Sequence, residues 1–301
     1  MNKVIYILGV SGGIDSMWML HLAIKHRKNI VVAHLNHSLR EAADSDENFV
    51  REYCLVRKIP FISRKVDVGK YALDNKVSVE TAGRILRYDF FADIAANYEN
   101  AVIQTAHNQN DSVESFFLHL LRGSALNGLC GIKANSKVRL PDGREIRLSR
   151  PLLGYFTREI IEQKVKEEGI PYINDESNDD LKYMRNSIRH EIMPFIIKNS
   201  GIKKICAAMG RLRVDNDYLE KCVSDTPNPF EVKWFCELHE ALQLRVIHKL
   251  SREFTSQTIS EERILAVIWA IENNYGGKII QLPDGVRVKI DKGKVEVYRE
   301  T

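Results

Sequence analysis

Six consecutive residues near the start of the chain have the types and spacing of a phosphate-binding turn: Ser11, Gly12, Gly13, Ile14, Asp15 and Ser16. Glycines let backbone N–H groups approach an anion without a Cβ in the way, and a following helix N-terminus adds partial positive charge. The two serine hydroxyls can donate hydrogen bonds to phosphate oxygens. Asp15 would repel phosphate unless a divalent cation lies between them, which points to magnesium. The segment therefore predicts a cradle for phosphate or pyrophosphate.

The flanking sequence places this segment between a strand and a helix. Residues 4–10 form a short apolar run, and Met17, Leu20 and Ile24 then recur at helical spacing. Open α/β sheets bind ligands at such strand-to-helix turns. No Gly-Lys-Ser/Thr follows and no G-x-G-x-x-G occurs here, which excludes a Walker loop and a dinucleotide fingerprint. A glycine turn that merely joins strand to helix is the alternative.

Further polar residues follow another predicted strand, at residues 101–106. His107 and Asp111 come just after it, on the ligand side of such a sheet. Asp111 suits either a site carboxylate or a helix cap, and His107 suits either a site residue or a plain polar one. Arg122 ends the next predicted helix, where a cation either compensates the helix dipole or contacts a phosphate.

Two histidines, His34 and His37, flank the end of a third predicted strand. Zinc would need further ligands, and no cysteine or third histidine is suitably near in the sequence, which argues against a metal. Asn36 and Arg40 are the candidate nucleotide-lining residues of this segment. The acidic run at residues 175–180 does not fit the spacing of a calcium loop and predicts a solvated loop.

A basic segment follows between residues 180 and 213. It carries eight Lys or Arg and two acids, a net charge of +6 against +4 for the whole chain. Such a segment suits contacts with the phosphates of an RNA, although solvated helix faces are also rich in lysine. Arg185, Arg189, Lys203 and Lys204 are the candidate RNA-binding residues, with Tyr183 as a candidate for base stacking.

Apolar strands alternate with helical patterns through the first half of the chain, which predicts a doubly wound, mostly parallel α/β sheet. A hairpin is predicted around residues 141–143, and residues 225–229 have the composition of a linker. We therefore predict one domain at residues 1–224 and a second at 230–301. The second domain should be smaller and mainly helical, ending in β-hairpins with Asp-Gly and Lys-Gly turns.

The composition indicates an ordinary folded protein, with 44% apolar and 28% charged residues in 301. Its five cysteines contain no C-x-x-C pair, which argues against a zinc ribbon, a redox dithiol or a disulfide framework. No signal peptide or membrane-length apolar run is present. These features predict a soluble protein of the cytoplasm with no membrane partner.

The sequence resembles the N-type ATP pyrophosphatases of the PP-loop superfamily, which carry Ser-Gly-Gly-x-Asp-Ser after the first strand. Within them it resembles the bacterial tRNA(Ile)-lysidine synthases over roughly residues 3–195. The segments that carry this closer resemblance are Ala33 to Arg40, Glu80 to Arg84 with Arg87-Tyr88, Thr105-Ala106-His107, Asp111 with Glu114, Arg122-Gly123-Ser124, Asp175 to Asn178 and Tyr183 to Arg189.

The resemblance implies roles for the candidate residues. Residues 11–16, Asn36 and His107 would bind ATP, and Asp15, Asp111 and Arg122 would be catalytic. Asp15 would hold magnesium together with the ATP phosphates, with Asp111 as a second candidate ligand. The family usually has two adjacent acids and a Glu-Thr pair where this chain has Asn110-Asp111 and Glu114-Ser115, which puts a two-carboxylate metal site in doubt.

The resemblance also implies a reaction. ATP would adenylate the C2 oxygen of the wobble cytidine in an isoleucine tRNA, and the amine of L-lysine would then displace AMP to form lysidine. The alternatives are another PP-loop enzyme that adenylates a small molecule, as NAD or GMP synthetases do, and an RNA-binding protein without catalysis. A tRNA thiolase should carry C-x-x-C pairs, and a homodimer is left open.

Overall fold

A computed structural model describes residues 3–38, 43–140, 142–174, 184–255, 257, 259–273 and 276–300. The chain forms two compact units, Met1–Gly210 and Arg211–Thr301. The division falls inside a long helix, Ile202–Cys222, whereas the sequence pattern placed a boundary in the linker at 225–229. The boundary from the sequence stays a prediction.

The first unit is built on a six-stranded sheet with the order β3-β2-β1-β4-β6-β5. All neighbouring strands are parallel except β5 and β6, which form an antiparallel hairpin at one edge. The strands are β1 (Ile5–Gly9), β2 (Ile30–Asn36), β3 (Phe61–Lys65), β4 (Ala101–Gln104), β5 (Asn135–Arg139) and β6 (Glu145–Ser149). The predicted parallel α/β sheet is confirmed, and the predicted hairpin forms its edge.

Helices cover both faces of this sheet. Successive side chains of its central strand point to opposite faces and are apolar on both, so each face needs a covering layer. Leu8 packs with Met17 of α1 and Ile161 of α7, whereas Ile7 packs with Phe90 of α4. The helices between the strands are α1 (Ile14–Lys25), α2 (Ala43–Val56), α3 (Val68–Asn75), α4 (Val79–Ala95), α5 (Gln109–Leu121) and α6 (Leu126–Leu129), and α7 (Arg158–Glu167) follows the last strand. Full burial of one large apolar side chain of this kind contributes about 2–3 kcal/mol.

Strand order reverses between β1 and β4, because the chain runs outward through β2 and β3 and then returns to the other side of β1. Ligands of open α/β sheets bind at such a reversal, outside the carboxyl ends of the strands. The loop after β1 and the start of α5 after β4 both lie at this edge.

A helical segment packs against α5 and completes the first unit. It consists of α8 (Met184–Ser187), a π-helical turn (Ile188–Ile192), α9 (Met193–Asn199) and the start of α10 (Ile202–Cys222). Val113 of α5 is buried against Ile188, Met193 and Met209. This packing holds the basic helical segment against α5.

The second unit has its own core between helices and a four-stranded antiparallel sheet of order β7-β10-β9-β8. Its elements after α10 are β7 (Phe230–Glu231), α11 (Val232–Glu237), α12 (Glu240–Arg252), α13 (Glu261–Glu272), β8 (Lys278–Gln281), β9 (Val286–Asp291) and β10 (Lys294–Arg299). The expected hairpins are present, with the β9–β10 turn at Lys292-Gly293. They belong to one continuous sheet.

No helix in the described part of the chain has both the length and the hydropathy needed to cross a bilayer. None of the five cysteines, all within the described ranges, forms a disulfide.

Candidate active site

The loop after β1 is shaped by hydrogen bonds between its two serines. Ser16 Oγ donates to the Gly13 carbonyl at 2.8 Å, and the Ser11 backbone N–H donates to Ser16 Oγ at 3.2 Å. Gly13 is the N-cap of α1 and offers the helix no side-chain cap. The first N–H groups of α1 therefore have no capping side chain and are suited to bind an anion.

Gly12 has a backbone conformation that other residues rarely adopt, with φ at +94°. A Cβ at this position would lie 2.7 Å from Ile173 Cδ1. Its carbonyl also accepts a hydrogen bond from the Ile173 backbone N–H at 2.9 Å. Glycine is required here both for the turn and for the close approach of the 173 segment.

Asp15 lies in the first turn of α1 and faces two polar side chains from other elements. Asn108 Nδ2 donates to its Oδ1 at 3.1 Å, and Arg158 Nη1 donates to its Oδ2 at 2.8 Å. Burial raises the pKa of Asp15 and the nearby Asp111 adds to this, while Arg158 and Asn108 act in the opposite direction. Asp15 is thus a partly buried carboxylate whose negative charge is paired with the positive charge of Arg158.

Asn108 and Asp111 cap helix α5 reciprocally. The Asn108 side chain accepts from the Asp111 backbone N–H at 3.2 Å, and Asp111 Oδ2 accepts from the Asn108 backbone N–H at 2.8 Å. The other carboxylate oxygen of Asp111 lies 3.2 Å from Arg185 Nη2. One oxygen of Asp111 thus caps the helix and the other pairs with Arg185; a catalytic or metal-binding role of Asp111 stays a prediction.

Glu114 lies one turn further along α5 and is 3% exposed. Arg185 Nε donates to one of its oxygens at 3.0 Å, and Arg189 Nε donates to the other at 2.8 Å. The two arginines are four residues apart and therefore share one helix face. The structure brings these predicted RNA-binding arginines onto the acids of α5.

His107 lies beside these groups as a neutral imidazole. Burial lowers its pKa to about 3, and four arginines around it act in the same direction: Arg150, Arg185, Arg87 and Arg84. Its Nδ1 lies 2.9 Å from Thr105 Oγ1. His107 can accept or donate a hydrogen bond at neutral pH without carrying charge.

Asn36 links the end of β2 to the start of α2. Its amide donates to Asp44 Oδ1 at 2.8 Å and to Glu47 Oε2 at 3.2 Å, and its side chain is buried. His34 is also buried and donates from Nδ1 to the Val10 carbonyl at 2.8 Å. The amide N–H groups of Asn36 already donate to Asp44 and Glu47, so they are not free to donate to ATP in this geometry. Contact between Asn36 and ATP stays a prediction.

Other candidates are not brought to these acids. Arg122 is exposed at the C-terminal end of α5, eleven residues or about 16 Å from Asp111 along the helix. This position favours the helix-dipole alternative, and contact with a phosphate of a large substrate stays a prediction. Lys203 and Lys204 are exposed in the first turn of α10. Arg40, Tyr183 and the acidic run 175–180 lie outside the described residues.

Sequence reasoning missed two residues of this site. Asn108 precedes a helix directly and belongs to the residue types preferred at an N-cap, so its capping role could have been predicted. Arg158 begins α7, whose cap at Thr157 was predictable. Its pairing with Asp15 spans 143 residues and has no local pattern.

Magnesium would find two carboxylates here. Asp15 and Asp111 are close enough for their charges to interact, and Mg²⁺ in nucleotide sites is commonly held by one or two carboxylates together with substrate phosphates. Within the described ranges no group of three or more His, Cys, Asp or Glu could hold a metal by itself. The donor set therefore fits a cation that binds the two carboxylates weakly and takes further ligands from phosphates.

The parallel sheet, the glycine loop after β1 and the acids beside it define a nucleotide-binding α/β protein. A family model described as a PP-loop domain, with a name that refers to ATP binding, matches residues 2–196. Among solved structures, the U34-tRNA thiolase NcsA from Methanococcus maripaludis is similar, with a TM-score of 0.56 and 16% identity over 70% of this chain and 72% of that chain. At this identity the similarity shows the fold alone.

Curated relatives extend beyond the PP-loop domain. A tRNA(Ile)-lysidine synthase from Clostridium tetani is 33% identical over 98% of this chain and 65% of its own length. One from Petrotoga mobilis is 44% identical over 64% of this chain and 60% of its own, and one from Chlorobaculum tepidum is 32% identical over 98% and 91%. The chain thus spans less than two thirds of the first two relatives. It belongs to the tRNA(Ile)-lysidine synthase family of PP-loop proteins.

Proposed function

We propose that the protein is an ATP-dependent ligase that converts the wobble cytidine of an isoleucine tRNA to lysidine. In the first step the C2 oxygen of the base attacks the α-phosphate of ATP, and pyrophosphate leaves. In the second step the amine of L-lysine attacks C2, and AMP leaves. The observation that carries the proposal is the loop 11–16, whose uncapped helix N-terminus lies beside Asp15 and Asp111.

The residues of this loop would bind the departing pyrophosphate. The N–H groups at the start of α1 and the Ser11 hydroxyl are donors for its oxygens, and the Ser16 hydroxyl would become one by leaving the Gly13 carbonyl. Asp15 and Asp111 would hold Mg²⁺, which when bound neutralises charge on the phosphates. The pairing of Asp111 with Arg185 places an arginine at the same edge, its charge shared with Asp111 and Glu114.

The remaining site residues suit the nucleobase and the second substrate. His107 is uncharged at neutral pH and therefore suits a hydrogen bond to a neutral base. Holding lysine beside the activated carbon makes the second step effectively intramolecular. Lys203 and Lys204 are exposed cations available for tRNA phosphates. Since its substrates are ATP, lysine and tRNA, we place the reaction in the cytoplasm.

The experiment that tests this proposal measures transfer of radiolabelled lysine to an isoleucine tRNA transcript with ATP. A transcript with another base at the wobble position is the matched RNA control. Labelled RNA with release of AMP and pyrophosphate supports the proposal. AMP formation that depends on a small molecule, with no label on RNA, would instead support an amide ligase of the same superfamily.

Asp15→Ala separates catalysis from RNA binding. We expect it to abolish ATP-dependent AMP formation and to leave the affinity for tRNA within about twofold, because Asp15 faces the cradle and contributes no positive charge to RNA. Gel-shift titration and AMP assays measure the two effects. Unchanged AMP formation would contradict the magnesium role of Asp15.

A further inference from the structure

Three helix N-termini of the first unit meet at one residue, Arg158. Its backbone N–H donates to Asn110 Oδ1 at 3.0 Å, and the Gln109 N–H donates to the Phe156 carbonyl at 2.9 Å, so that the start of α7 is joined to the start of α5. The Arg158 side chain reaches Asp15 in the first turn of α1. The positive ends of α1, α5 and α7 therefore converge where the loop 11–16 lies.

Two nitrogens of the Arg158 guanidinium donate hydrogen bonds within the protein, and the third is available to a ligand. Its Nε donates to Glu162 at 2.7 Å, one turn along α7, and its Nη1 donates to Asp15 at 2.8 Å. Its second terminal nitrogen, Nη2, makes no hydrogen bond to any residue in the described part of the chain. The side chain is 41% exposed, so a ligand can reach it.

The contact with Asp15 cannot persist unchanged when a cation and phosphates bind at the loop. A divalent cation at Asp15 would compete with Arg158 Nη1 for the carboxylate oxygen Oδ2, and an Nη1 displaced from that oxygen lies beside the incoming phosphates. Glu162 still holds Nε, so the guanidinium stays in place. An arginine with two free terminal nitrogens suits a bidentate contact with phosphate oxygens.

We propose that Arg158 is a pyrophosphate-binding residue that exchanges partners, leaving Asp15 for the β- and γ-phosphates of ATP when a cation binds Asp15. This proposal rests on the proposed ATP site. It assigns two opposed effects to one side chain. Arg158 competes with a cation for Asp15 when nucleotide is absent, and it strengthens phosphate binding when nucleotide is present.

The test uses the full chain and two ligands, Mg²⁺ alone and inorganic pyrophosphate with saturating Mg²⁺, both measured by calorimetric titration. In Arg158→Gln we expect pyrophosphate to bind about tenfold more weakly and Mg²⁺ about threefold more tightly. Arg158→Lys keeps the charge without the fork and should lie between Arg158→Gln and the unmodified protein. Lys164→Gln is the matched control, because it removes one cation from the same helix at an exposed pair with Glu167.

The outcomes distinguish this proposal from its premise. If Arg158→Gln weakens the binding of Mg²⁺ and of pyrophosphate equally, or changes neither affinity, the exchange is overturned. Arg158 is then only a link between helices. Absence of pyrophosphate binding in the unmodified protein overturns the ATP site itself. Thermal denaturation shows whether each variant is folded. If Arg158→Gln is unfolded, Arg158→Lys tests the exchange by the same two effects, weaker binding of pyrophosphate and tighter binding of Mg²⁺.

Discussion

The loop after β1 depends on Gly12, whose backbone conformation is rarely adopted by residues that carry a side chain. Gly12 combines a φ of +94° with a carbonyl that pairs with the backbone of Ile173. Gly13, its neighbour, has a φ of −69° and caps α1. Two adjacent glycines thus serve different purposes, one for chain conformation and one for an open helix end.

We expect Gly12→Ala to lower the free energy of unfolding by about 1–3 kcal/mol, because it forces an L side chain into a positive φ. It also places Cβ 2.7 Å from Ile173 Cδ1. Gly13→Ala is the control, since its Cβ would meet only Ser11 Oγ at 3.5 Å and should change stability by less than about 0.5 kcal/mol. Urea unfolding measures both, and equal loss in the two variants would contradict the assignment.

At the scale of elements, a buried carboxylate of α5 joins this helix to the helical segment 184–199 through ion pairs. Glu114 contributes a carboxylate at 3% exposure, and Arg185 and Arg189 bind both of its oxygens. These arginines also account for part of the basic segment that suggested RNA binding. Their positive charge is balanced within the fold, which moves the expected RNA contacts toward exposed lysines such as Lys203 and Lys204.

We expect Glu114→Ala to cost about 3 kcal/mol of stability, because it leaves two partly buried arginines without their carboxylate. Glu114→Gln keeps the volume and one acceptor and should cost less. Glu167→Gln in the exposed pair with Lys164 is the control and should change stability by less than about 0.5 kcal/mol. Denaturant unfolding compares the three. A negligible effect of Glu114→Ala would show that apolar packing alone holds the segment on α5.

At the scale of the whole molecule, two half-buried histidines that are neutral at pH 7 make the stability of the protein depend on pH. Burial, with neighbouring arginines, lowers the pKa of His37 to about 4 and that of His107 to about 3. An unfolded chain binds these protons near pH 6.5. The stabilisation from neutral histidines is therefore present above about pH 6.5 and is lost as pH falls toward 4 and then 3.

We expect the free energy of unfolding to fall by about 4 kcal/mol between pH 7 and pH 5 from these two groups together, about 2 kcal/mol from each. Urea unfolding followed by circular dichroism at a series of pH values measures the slope. His37→Gln should flatten the slope, because the variant no longer has that difference in proton uptake. A slope that His37→Gln leaves unchanged would assign the acid sensitivity to other groups.

The amino-acid sequence by itself determined the parallel α/β sheet, its edge hairpin and the glycine loop after β1. Each of these arises from patterns within a few residues, such as apolar runs, helix caps and glycines where the backbone turns. The tertiary structure decided which charges meet. Arg158 and Asp15 are 143 residues apart, and Arg189 and Glu114 are 75 apart. Only the folded sheet and its packed helices bring such groups within hydrogen-bond distance, because charge pairing follows position in space and leaves no period in the sequence.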